Sequence, residues 1–155
     1  MLGIMTRGGL MRRIDVARVE AALARAESKT SGEIRISVAP FFWGSVENAA
    51  KLAFTRLGMN QTAERNGVLL FVVPSRKRFQ LLGDEGIHAR VGQAFWESVA
   101  AAVSSHFHAG DFTRGLEEGI AAIGEGLALH FPHRGEHDVN ELPDTIDFGG
   151  PPERS

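Results

Sequence analysis

Along the chain the apolar positions change period several times, and each change marks an element. Between residues 12 and 29, Ile14, Val16, Ala17, Val19, Leu23 and Ala26 recur among alanines and charges, predicting an amphipathic first helix that Thr30, Ser31 and Gly32 end. Residues 33–39 then alternate polar and apolar through Ile34, Ile36 and Val38, the period of a strand with one face on a core, and Pro40 stops it. From 46 to 57 helical spacing returns through Ala49, Ala50, Ala53, Phe54 and Leu57, with Ser45 as N-cap and Gly58 closing the helix. Residues 67–73 are apolar throughout, as a central strand covered on both faces requires. Pro74 and Ser75 mark a tight turn into a third strand over 78–82, paired antiparallel with the second.

The remainder reads as helical, with a short turn near 87–91, a helix over about 92–108, and another from Asp111, its N-cap, to about 131. After Pro132 the composition turns to His, Gly, Pro and acids, with Val139, Leu142, Ile146 and Phe148 as the residues able to tack a tail onto the domain. This divides the chain into a disordered leader over 1–11, a domain over 12–131 and an extended tail over 132–155. Strands separated by helices, with one hairpin, imply an α/β fold: a three-layer α/β/α sandwich with a mixed central sheet and helices on both faces.

Composition narrows the function classes. A length of 155 residues with 43% hydrophobic and 23% charged residues suits one domain with its own core. A formal net charge of -2 gives no basic field for a phosphate backbone, so no nucleic-acid partner is expected. The absence of cysteine excludes disulfides, thiolate clusters and a Cys nucleophile. No apolar run approaches the roughly 20 residues that span a bilayer, so direct membrane insertion is not expected. Arg7, Gly8 and Gly9 interrupt the start before it reaches signal-peptide length, and the expected location is the cytoplasm.

Four segments fall into a recognisable order: Thr30-Ser31-Gly32-Glu33-Ile34-Arg35, Arg65-Asn66-Gly67-Val68-Leu69-Leu70, Gly83-Asp84-Glu85-Gly86-Ile87, and Phe107-His108-Ala109-Gly110-Asp111-Phe112 with Gly115-Leu116. Over residues 14–131 this set resembles the TPM domain family, named for a thylakoid lumen phosphatase, a photosystem repair protein and a receptor-modulating membrane protein. The resemblance implies an α/β/α sandwich with ligand-facing loops at one edge of the sheet. It also implies one of several activities: acid phosphatase in some plant members, calcium binding in some bacterial ones, and protein-partner roles in others. Two positions depart from the family pattern. Arg65 stands where an acid commonly precedes the Asn-Gly of the central strand, and Pro74-Ser75 replaces an acid in the hairpin. The glycine turn after the third strand is one residue longer and more acidic, which restores some charge nearby. The pattern is closest to a soluble bacterial branch of the family.

The residues that carry chemistry centre on this acidic turn. Asp84 and Glu85 lie between two glycines at the end of a strand, where open α/β sheets bind ligands, and a hard cation such as calcium or magnesium takes several oxygens from such a loop. Glu64 and Asp111 complete the expected metal set, and Arg65 and Arg76 are the expected anion-binding residues; the simpler reading of Asp111 is a helix cap. His106 and His108 with Asp111, and His130, His133 and His137 in the tail, have the chemistry of transition-metal ligands, but their spacing fits no closed site. Phe41, Phe42 and Trp43 read either as core or as an exposed docking edge. The favoured function is a non-catalytic binding module for a membrane or envelope protein, with any divalent cation ordering its loops. The alternative is a metal-dependent phosphatase-like hydrolase acting on phosphomonoesters, in which the metal lowers the pKa of an attacking water.

Overall fold

The computed structural model describes residues 13–135 and 145–149. The leader read over 1–11, and Glu136, His137, Asp138, Val139 and Leu142 of the tail, lie outside them.

Three strands form one mixed sheet in the order β1-β2-β3, where β1 is Glu33–Val38, β2 is Gly67–Val73 and β3 is Arg78–Gly83. β1 runs parallel to β2 with Ile34 beside Val68, and β3 returns antiparallel with Leu81 beside Leu70. Alternation divides β2 between two cores. Val68, Leu70 and Val72 face the larger one, with Ile34, Ile36 and Val38, whereas Leu69, Phe71 and Val73 face the smaller one.

The larger core is covered by α1 (Val16–Glu27), α4 (Gln93–His108) and α5 (Phe112–His130), and the smaller by α2 (Val46–Arg56) with Met59. The sandwich expected from the sequence is therefore present, with α1, α4 and α5 on one face of the sheet and α2 on the other. Among the described residues no helix is long and apolar enough to cross a membrane.

Capping chemistry sets the helix ends. Asp15 accepts from the Arg18 N–H, so α1 begins at Val16, later than the apolar pattern predicts. Ser45 accepts from the Asn48 N–H at 3.1 Å, and Gly58 takes the left-handed conformation (φ 72°) after α2. α1 and α5 start together, because the Asp15 N–H donates to the Thr113 hydroxyl at 3.0 Å. They also end together, because α5 runs into Phe131, whose carbonyl accepts from the Ser31 N–H at 2.8 Å.

One expectation is corrected. β1 is buried on both faces, although its alternation predicts one wet face. At Ser37 the cover comes from the tail: Asp147 lies beside Ser37 in parallel pairing, its carbonyl accepts from the Val38 N–H, and its carboxylate takes the Ser37 hydroxyl at 2.8 Å and a fork from Arg56 at 2.7 and 3.1 Å. Ile146 and Phe148, on either side, are buried in the larger core.

Candidate functional site

Where β3 ends is decided by its direction. Because β3 is antiparallel to β2, the turn that follows it lies at the edge where β1 and β2 begin. The crevice at the carboxyl ends of parallel strands is on the opposite edge. Asp84 therefore does not occupy that crevice, and this corrects the placement drawn from the sequence.

At this edge Asp84 closes the ladder, its N–H donating to the Gly67 carbonyl at 2.9 Å, and caps the single-turn helix α3 (Glu85–His88) through the Glu85 N–H at 2.8 Å. Its carboxylate is gripped on both oxygens by Arg65, Nε to Oδ2 at 2.5 Å and Nη2 to Oδ1 at 2.8 Å. The third nitrogen, Nη1, reaches Glu85 at 3.1 Å. Fork-to-carboxylate pairing of this kind is the strong form of a charged hydrogen bond. The Arg65 guanidinium is held above its ordinary value, first by its hydrogen bonds to Asp84, against the opposing effect of burial, and then by the charges of Asp84 and Glu85.

The backbone is shaped for this grip. Arg65 sits at φ 52°, a left-handed conformation uncommon outside glycine, and its N–H donates to the Thr62 carbonyl. Gly86 passes so close beneath that an added Cβ would lie 2.3 Å from the Glu64 carbonyl oxygen and 2.6 Å from that of Arg65. The second glycine of the acidic turn thus serves close approach of two loops.

Glu64 is brought to the same edge but is separately held. Its Oε2 accepts from Arg134 at 2.6 Å, from the Asn66 amide at 3.3 Å and from the Ser31 hydroxyl at 3.4 Å. Asp111 is not brought there: it caps α5 through the Arg114 N–H at 3.2 Å, at the far end of a 19-residue helix that spans roughly 28 Å. The other arginine of the expected anion pair, Arg76, lies at the opposite edge, where it donates to the Gly44 and Phe42 carbonyls at 2.9 and 3.4 Å and stacks over the Phe42 ring.

As arranged, these residues do not fit a hard cation. Calcium takes six to eight oxygens, yet both oxygens of Asp84 are occupied and the Arg65 guanidinium already supplies the local positive charge. Among the described residues, no group of three or more His, Cys, Asp or Glu side chains converges to hold a metal. His106 faces Glu118 at 3.5 Å, and His133 accepts from the Gly135 N–H.

One contributor, Arg134, escapes sequence reasoning because it lies in a stretch read as tail. Arg65 is named by the sequence, but as an anion binder, because its partner Asp84 is 19 residues away. The aromatic segment, left open between core and edge, is divided: Phe42 packs toward Phe71 and the smaller core, whereas Trp43 is 88% exposed and stands in T-shaped contact with Phe41, ring centroids 4.7 Å apart.

The comparisons agree with this geometry. The TPM domain profile matches residues 4–126. The NMR structure of the BA42 protein from the psychrophilic bacterium Bizionia argentinensis is 36% identical with a TM-score of 0.82, over 87% of this chain and 92% of that one. The N-terminal domain of a P. gingivalis protein (18% identity, TM-score 0.59, 87% and 85% covered) shares the fold. So does the N-terminal domain of the cg2496 protein from Corynebacterium glutamicum (11% identity, TM-score 0.57, 89% and 80% covered). No curated protein matches. The ordered motifs, the sandwich and the matched length have one explanation: the chain belongs to the TPM domain family.

Proposed function

We propose that this domain is a non-catalytic binding module for a protein of the membrane or cell envelope, which it engages through the loop that carries Trp43. The observation that carries this reading is the contrast between the two edges of the sheet. At one, Asp84, Glu85 and Glu64 are each paired to an arginine, leaving no open set of carboxylates to activate a water. At the other, a large aromatic side chain stands 88% exposed on a segment that Arg76 fastens to the hairpin. An indole held out on an anchored loop loses little freedom on binding and supplies the anchor type that dominates interface energetics.

Two assays together test it. Immobilised protein is challenged with detergent-solubilised membrane proteins and compared with Trp43→Ala, while hydrolysis of p-nitrophenyl phosphate is followed with calcium or magnesium present. The expected outcome is retention of a defined protein that Trp43→Ala loses, with no turnover above background. Metal-dependent turnover that Asp84→Asn abolishes overturns the proposal and favours the hydrolase.

A further inference from the structure

Among the described residues β3 pairs on one side only, with β2. Asp84 and Gly67 mark a hydrogen-bonded pair, and such pairs alternate along an antiparallel ladder. On the observed register Leu82, Gln80 and Arg78 therefore bond to β2, and the N–H and C=O groups of Phe79, Leu81 and Gly83 point away from the sheet. This edge has no proline, and its six residues suffice to template another strand.

Both sides of the edge offer apolar shelves. Phe79 and Leu81 with Trp96 of α4 line a groove of about 270 Å³, and Leu82 with Phe54 of α2 lines another of about 240 Å³. At the start of the strand Lys77 and Arg78 are exposed and make no ion pair among the described residues.

We propose that β3 takes an extended peptide of the protein partner as an added antiparallel strand, its successive side chains entering the two grooves in turn and a carboxylate near its C-terminal end meeting Lys77 and Arg78. This deepens the binding reading and rests on it. Outward ladder groups select an extended segment over a helix, and antiparallel addition brings the peptide's C-terminal end to the two cations. A second copy of this chain lacks the matching charge: pairing about Leu81 would set Arg78 across from Asp84, which is buried and already held by Arg65.

The test follows amide exchange and chemical shifts of the full chain with a seven-residue peptide of alternating threonine and valine ending in aspartate. In the free chain the amides of Phe79, Leu81 and Gly83 exchange at least about tenfold faster than those of Gln80 and Leu82. Saturating peptide slows them to the rate of their neighbours, and the same peptide N-methylated at alternate amides does not. Arg78→Glu weakens binding about fivefold, and Leu81→Pro, which removes an outward donor together with the Leu81 side chain but no ladder bond to β2, abolishes it, whereas Leu81→Ala, which keeps the donor, retains part of it.

Slow exchange at these amides without peptide overturns the proposal, since the edge is then already covered; mass that rises with concentration in sedimentation identifies a second copy as the cover, and constant mass identifies another part of the chain. Equal binding of the N-methylated peptide also overturns it. If the peptide leaves β3 unmoved while Trp43-dependent retention of membrane proteins persists, the edge alone is wrong; if that retention is absent too, the binding reading falls with it.

Discussion

At the residue scale the decisive feature is Arg65. A cation held in a left-handed backbone conformation occupies both oxygens of Asp84 and reaches Glu85, so one of the turn's two negative charges is balanced from within the chain. Calcium or magnesium, added to saturation or stripped with a chelator, is therefore expected to leave the amide shifts of residues 83–87 unchanged. A saturable shift there shows that Arg65 yields its place. Gly86 supports the same contact by its lack of a side chain, and Gly86→Ala is expected to destabilise the fold by about 1–3 kcal/mol, because backbone atoms rather than a flexible side chain stand in the way. The check is a lower urea midpoint at unchanged slope. None of this was legible in the linear sequence. Asp84, Glu85 and Glu64 stood out as acids and Arg65 as a departure from the family pattern, but that they answer one another depends on strand direction and register, which join positions 19 residues apart.

At the scale of elements the sequence was far more informative, because helix caps and periodicity are local. Ser45 and Asp111 cap the helices they were expected to cap, and Ser45→Ala is expected to cost about 1 kcal/mol in thermal or urea unfolding. The continuous apolar run of β2 correctly implied cover on both faces. β1 was misread for a physical reason: alternation reports which side chains are apolar, and a polar face can be buried once hydrogen bonds are supplied, here by Asp147 from a segment 110 residues away. The exposed Trp43 belongs to a connection, not to an element, and periodicity has nothing to say about its burial. Trp43→Ala is expected to change stability by no more than about 0.5 kcal/mol while removing partner retention, which separates a docking side chain from a structural one.

At the scale of the whole molecule, the return of residues 145–149 to β1 ties the end of the described chain to its first strand and roofs part of the larger core. Phe148→Ala removes an aromatic from that roof. The expected results are a loss of up to about 3–5 kcal/mol, the range for buried phenylalanine truncations, and faster hydrogen exchange at the Val38 amide, whose acceptor is the Asp147 carbonyl. Unchanged exchange at Val38 shows that the pairing survives without the ring.

The unequal division of cover between the two faces of the sheet has a dynamic consequence. α2 rests on the smaller core through buried Val46, Ala50 and Ala53 with Ala49 and Phe54 half-buried beside them, whereas the opposite face is gripped by fully buried phenylalanine, leucine and isoleucine from three helices. Apolar area sets the free energy of peeling a layer away, so α2 is expected to be the cooperative unit that opens first, below the global unfolding transition. Its amides would then report the earliest excursions from the native state, while those of α5 exchange only when the whole domain unfolds.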